Sequence, residues 1–445
     1  MLRVMIPVIE PPFYITRAII IVMQNNKQIY SWAMYDWANS AYATTVMAGF
    51  FPLFFKSYFS SETDVITSTA NLGIANSVSS MIIVLLAPFL GAVADVGGLK
   101  KRFLFLFTYL GILMSGSLAL VQQGDWQLAA FVYILGNIGF MGSNIFNDSL
   151  LPNVAKERNF DFVSGLGFSL GYLGGGLLFT LNVLMVYRPE FFGLADMNEA
   201  VKLSFVSVAL WWALFSLPLL LFVKEERPKK RYNIAGTVVA GYRQLLGTFK
   251  KVRHLKGLLL FLAAYWLYID GVDTIIRMAV DYAMAIGFEP NSLVLALLLV
   301  QFIGFPATLL FSKLAQIYDT KKALFVAIST YLFITVWASM MQEAYEFFLL
   351  AAMIGMVQGG IQALSRSYYA KMIPPEQAAE FFGFFNFLGR FATIFGPLLI
   401  GFVAVTTESS RLGIASVAVF FVAGGILLHF VDEKKIAEEV RSTLQ

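Results

Sequence analysis

Twelve apolar stretches separated by short polar turns constrain this chain more than any other feature. They cover residues 30–55, 69–94, 102–122, 126–150, 162–187, 201–223, 257–285, 291–317, 322–342, 346–369, 381–405 and 410–431. About 20 helical residues cross a ~30 Å hydrocarbon core, so each stretch is long enough to span one. Inside a bilayer no water satisfies backbone N–H and C=O groups, which leaves helices as the workable form for such segments. The expected fold class is an all-α polytopic membrane protein with twelve transmembrane helices. A hydrophobic share of 58%, a charged share of 13% and a mean hydropathy of +0.72 exclude an ordinary soluble globule.

Charge placement sets the expected orientation. With the N-terminus inside, the inner side collects Lys27, Lys100, Lys101, Arg102, Lys156, Arg158, the basic run between Lys224 and Lys256, Lys321, Lys322, Arg366, Lys371, Lys434, Lys435 and Arg441. The outer side keeps Lys56, Arg188, Lys202 and Arg411. This positive-inside bias puts both termini in the cytoplasm of a cell-membrane protein. The net charge of +4 follows from that topology and implies no nucleic-acid partner. With no cysteine, and with His254 and His429 as the two histidines, the sequence offers no thiolate or histidine metal cluster, and no cofactor is expected. HExxH and ATPase motifs are absent as well, and the GxSxG match at Gly167–Gly171 lies inside an apolar span with no preceding strand to make it a nucleophile elbow, so the chain reads as a non-enzyme driven by gradients.

Five segments follow: a tail at 1–27, a six-span bundle at 28–223, a basic linker at 224–256, a second six-span bundle at 257–431 and a tail at 432–445. The apolar run 13–23 is too short to span, so the first tail is expected to be unstructured or interfacial. In the linker, Ile234, Val238, Tyr242, Leu245, Phe249 and Val252 form a helical stripe, with Arg243, Lys250, Lys251 and Arg253 on other faces. Such a helix suits anionic lipid headgroups, making membrane lipid an expected partner.

The two bundles repeat. Sliding spans 4 and 5 by 218 residues onto spans 10 and 11 matches Gly142 with Gly360, Ser149 with Ser367, Gly165 with Gly383 and Gly171 with Gly389, and sets Asn144 on Gln362. The turn from Gly91 to Arg102 is echoed by Asp319-Thr-Lys321-Lys322, which predicts equivalent positions for Asp95 and Asp319. Parallel repeats of this kind place a solute site near the midplane between the halves.

The Gly91–Arg102 turn resembles the GxxxD-(R/K)-x-G-(R/K)-(R/K) signature of the major facilitator superfamily. Gly91, Asp95, Gly98 and Lys100 fit, whereas Val96 replaces a base and Leu99 displaces another. YDWANSAYATT at Tyr35–Thr45, YIDGVDTI at Tyr268–Ile275, GGIQALSRS at Gly359–Ser367, Phe381-Phe-Gly and Gly396-Pro397 are similar to the branch of the fungal vacuolar amino-acid effluxer and its bacterial relatives. The resemblance covers nearly the whole chain after residue 27. It implies two pseudo-symmetric six-helix bundles, with spans 1, 4, 7 and 10 lining a central cavity.

Polar residues deep in those spans give the implied cavity its candidate lining: Asp36, Asn39 and Tyr42; Asn144; Tyr268 and Asp270; Gln358 and Gln362. Arg390 in span 11 joins them as a cation hard to place against lipid. Each has a structural alternative as interhelical glue. Asp273, one turn from Arg277, is expected to be structural, while Asp270 is the expected carrier of a coupling proton with Asp36 in reserve. A second group at inner helix ends, Gly91, Asp95, Lys100, Asp148, Asp319 and Arg366, is the expected cytoplasmic gate. The expected function is a monomeric secondary transporter moving amino acids or short peptides by alternating access, with protons as a possible coupling ion. A drug- or lipid-like exporter and a non-transporting solute sensor are the competing readings.

Overall fold

The structure, a computed structural model, describes the backbone of residues 13–225, 232–285 and 290–444. Within those ranges the side chains at 13–25, 65–66, 277, 279–281, 283–285, 290–293, 344, 390–394 and 444 lie outside the description. The expected site residue Arg390, and Arg277 beside Asp273, fall in that group.

The chain is helical nearly throughout. Helix α1 (Phe13–Ala41) widens into π-helical turns over Tyr42–Phe50, passes through α2 (Phe51–Phe54) and widens again over Phe55–Phe59. It is followed by α3 (Val65–Gly97), α4 (Lys100–Ser117), α5 (Trp126–Ser149), α6 (Leu151–Val154), α7 (Phe160–Tyr187) and α8 (Met197–Phe222). Helix α9 (Ile234–Val252) leads into α10 (Lys256–Ala285), α11 (Pro290–Ile317), α12 (Thr320–Met340), α13 (Ala344–Met372) and α14 (Ala378–Thr407). The last three are α15 (Ser410–Ser416), α16 (Ala418–His429) and α17 (Glu433–Leu444). Ten described stretches are long and apolar enough to cross a membrane. The continuous helical run from Phe13 to Phe59, together with α14, makes the set consistent with twelve crossings.

Local chemistry sets the boundaries. Asp64, Asp196, Asn233 and Asp319 each accept a hydrogen bond from the backbone N–H three residues on, starting α3, α8, α9 and α12. Gly98, at φ 59°, stops α3 in the left-handed conformation that costs glycine least. The first helix starts earlier than the sequence suggested, because nothing between Phe13 and Tyr30 breaks a helix. Residues 13–27 are therefore helical and continuous with the helix of span 1, in place of an unstructured tail.

The outer surface is what lipid requires. Leu85, Leu210 and Phe402 are each about two-thirds exposed on membrane-length helices. Between the halves, α3 packs on α14 and α7 packs on α11. Their approach depends on missing side chains. A Cβ at Gly91 would strike the Ala379 carbonyl, and one at Gly165 would strike Ser312. One at Gly383 would meet backbone atoms of Ala87 and Pro88 at 2.8 Å. Gly165 and Gly383 are thus crossing points of the two equivalent helix pairs, which accounts for their match at 218 residues. The ends that meet at Gly91 and Gly165 carry Lys100–Arg102, Lys156, Arg158, Lys321, Lys322 and Lys371, so this end of the molecule is its basic face.

Candidate functional site

The site builds upward from one arginine. Arg366 sits near the end of α13, only 3% exposed, and reaches from the second half into the first. Its Nη1 lies 2.9 Å from Asp148 and its Nη2 3.3 Å from Asp36. Its Nε donates to Ser164 Oγ at 2.8 Å and its Nη2 to the Ser164 carbonyl at 2.9 Å. Trp32 and Phe168 cover the guanidinium, at 4.8 and 4.4 Å from their ring centres. Asp36 also accepts from Asn147 at 3.0 Å. Removing two carboxylates and a guanidinium from water is costly, and only this many partners make it tolerable. Asp148 and Arg366 are themselves 218 residues apart, so the repeat brings opposite charges together on its own axis.

A second cluster lies beside the first. Asp95 pairs with Lys100 at 3.0 Å and accepts from the Ala379 and Glu380 N–H groups at 3.2 and 2.8 Å. Those N–H groups open α14, where a helix favours negative charge. The backbone N–H groups of Lys100 and Lys101 donate to Glu225. Burial pushes the Glu225 carboxyl up from its ordinary range, and those N–H bonds oppose the shift. Asp95→Asn should leave expression and folding nearly intact but lower transport about fivefold, because it removes a charge that favours the closed basic face by roughly 1 kcal/mol. Transport counts normalised to the amount of protein in the membrane check this; unchanged turnover would leave Asp95 a topological charge.

Sequence reasoning missed a third cluster. Asp161, in the first turn of α7, accepts from Ser367 at 2.6 Å, Thr320 at 2.8 Å and Lys371 at 2.8 Å. Asp319, expected to mirror Asp95, caps its own helix α12 instead. Lys321 reaches the His429 and Val431 carbonyls at the end of α16 as Lys101 reaches those of Leu220 and Val223 at the end of α8, so Lys321 matches Lys101 and Asp319 falls opposite Leu99. The Gln316 amide donates to the Arg158 carbonyl and to Asn159 just before α7.

Directly above Arg366, α13 presents Gln362 and Gln358 at successive four-residue steps, both half-buried. Neither amide has a side-chain hydrogen bond among the described residues. Opposite them, Asn39 donates to Asn144, one turn above Asp148. Gln301 of α11 reaches Thr44 at 3.3 Å. Three other expected cavity residues lie inside helix contacts. Tyr42 is fully buried against Phe140 and Trp212 and donates to Asn137 at 3.2 Å. Tyr268 is fully buried with its hydroxyl 2.7 Å from Ser365. Asp270 is 1% exposed between α10 and α14, accepting from Gly396 N–H at 3.1 Å and Thr274 at 3.2 Å. Their polar groups bind helices to one another, a use open to any polar residue in a span.

Comparison with known proteins agrees with this fold. The family described as "Vacuole effluxer Atg22 like" is matched by residues 63–441. A Bacillus subtilis (strain 168) protein described as an uncharacterized MFS-type transporter, YxiO, is 39% identical over 411 residues, covering 92% of this chain and 95% of that protein. Autophagy-related protein 22 of Vanderwaltozyma polyspora is 22% identical over 391 residues, covering 77% of this chain and 74% of its own. The crystal structure of the human organic anion transporter MFSD10 (TETRAN) superposes with a TM-score of 0.71 at 14% identity, covering 94% of this chain and all of that one. The proton:xylose symporter XylE superposes with a TM-score of 0.68 at 14% identity, covering 96% and 99%. At such identities the likeness establishes the shared major facilitator fold.

Proposed function

This chain belongs to the Atg22-like vacuole effluxer family of major facilitator transporters, and from that premise we infer that it carries amino acids or short peptides by alternating access. The observation that carries the reading is the polar column on the axis: the amides of Gln358, Gln362, Asn39 and Asn144 stacked over the Arg366–Asp36–Asp148 cluster. Amides offer donors and acceptors together, which suits a solute bearing an ammonium and a carboxylate. The charged cluster beneath them is the floor of the site when the basic face is shut. Residues 28–223 and 257–431 are the two rocking bodies, with the basic face and both termini in the cytoplasm.

Proton coupling falls to Asp270, which ties α10 to α14 beside Pro397. Asp36 is the alternative carrier. It shares one guanidinium with Asp148, leaving a net negative charge on those three groups. The purified chain in liposomes should take up labelled amino acids when a pH gradient is imposed, and several-fold less when an ionophore collapses it. Transport of lipophilic cations with no amino-acid uptake would reject the amino-acid reading and favour a drug-like exporter. Solute binding with no flux of either class would favour a sensor.

A further inference from the structure

Helix α9 packs the wrong way round for a helix serving a soluble surface. The residues it buries against the bundle are small or polar: Thr237, Gly241 and Thr248. Gly241 fits against Val93 of α3, where a Cβ would lie 2.8 Å from its methyl. Gln244 donates to Glu380 of α14 at 2.7 Å, and Phe249 sits 6.2 Å from Phe384 of the same helix. The apolar residues point away from the protein: Ile234 is 89% exposed, Val239 50%, Tyr242 53% and Phe249 65%. Exposed Arg243 and Lys250 follow this arc around the helix. An apolar flank edged with cations, beside Phe384 of α14, matches a membrane interface bearing negative headgroups.

We propose that α9 is a strap anchored in anionic phospholipid, and that this anchoring holds α3 and α14 together on the basic face. The argument is one of connection. Helix α3 belongs to the first half and α14 to the second, and α9 touches both within a few residues of the Asp95 latch. When the basic face opens, α14 must leave α3, and a strap fixed in the headgroup layer resists that parting. A neutral membrane holds it less firmly. Each basic residue at an anionic surface changes adhesion about fivefold, so Arg243, Lys250 and Arg253 together contribute about a hundredfold.

The chain has no native cysteine, so labels can be placed on the full-length protein without background. An environment-sensitive probe on Phe249→Cys should be quenched by brominated phosphatidylglycerol in nanodiscs. Spin labels on Arg102→Cys and Glu376→Cys, exposed positions on opposite halves at the basic face, should report the gate. Adding phosphatidylglycerol to phosphatidylcholine nanodiscs should at least double the short-distance population. Neutralising Arg243, Lys250 and Arg253 to glutamine should abolish that response while leaving the distribution in neutral lipid unchanged. A probe unquenched in both lipids would overturn the docking surface. Shielding of the probe only in a self-associated dimer, seen by light scattering, would assign the face to a second copy and overturn it equally. Quenching with an unresponsive distance would overturn the strap. None of these readouts depends on the transported solute, so their failure is distinct from failure of the transport reading.

Discussion

Arg366→Gln should open the basic face and reduce transport more than any other single change in the latch. The guanidinium is 3% exposed and spans the joint, bonding Asp36, Asp148 and both the hydroxyl and the carbonyl of Ser164. Removing one partner of a buried ion pair costs roughly 3–5 kcal/mol, because the remaining charges stay dehydrated. That penalty falls on the closed state, since water reaches the carboxylates once the halves part. A bias of this size shifts the closed-to-open ratio by about a hundredfold or more. The spin-label pair at positions 102 and 376 should move to long distances, and solute accumulation should drop to near background. Arg366→Lys keeps the charge but loses the fork that reaches two carboxylates, so it should fall between the two. Exchanging Arg366→Asp with Asp148→Arg should recover part of the closed population, because the two positions are equivalent under the repeat. Unchanged distances in Arg366→Gln would show that Asp95 and Asp161 hold the face without it.

Hydropathy made the helices legible, since a bilayer leaves an apolar segment little conformational choice. The repeat was legible through glycine: Gly165 and Gly383 match because each lies where a helix of one half presses on a helix of the other. The same alignment also held the pairing of Asp148 with Arg366, because residues related by a two-fold axis and close to it must meet each other. Asp319 was misread because its neighbours, Lys321 and Lys322, echo Lys100 and Lys101 in sequence, whereas the carbonyls that Lys321 reaches pair it with Lys101 and leave Asp319 opposite Leu99. Tyr42, Tyr268 and Asp270 mark the limit of such reading. Depth in a span can be counted from a sequence, but the neighbour a side chain faces cannot. Asp161 passed unnoticed because an acid in a first turn reads as an ordinary helix-start charge. Its partners Ser367, Thr320 and Lys371 come from two distant helices of the other half.

Asp270→Asn should abolish accumulation driven by a pH gradient while leaving solute exchange within a few-fold of the parent protein. The carboxylate holds α14 at the Gly396 N–H, one residue before Pro397, where the ladder of helix bonds is already interrupted. A helix weakened there can bend, and the strength of one hydrogen bond then influences how it bends. The far end of α14 is the Ala379–Glu380 turn held by Asp95, 16 residues or about 24 Å from Gly396 at the helical rise. Loading or removing a proton at Asp270 therefore acts on the same helix that latches the basic face, which is the connection a coupled carrier needs. Asparagine keeps the carbonyl that accepts from Gly396 but cannot gain or lose a proton, so the fold survives and the coupling does not. Asp36→Asn serves as the control: it weakens the Arg366 latch and slows turnover, yet should retain a response to the pH gradient. If Asp270→Asn still concentrates solute under that gradient and Asp36→Asn does not, the coupling proton belongs to the Arg366 cluster and Asp270 is a hinge pin.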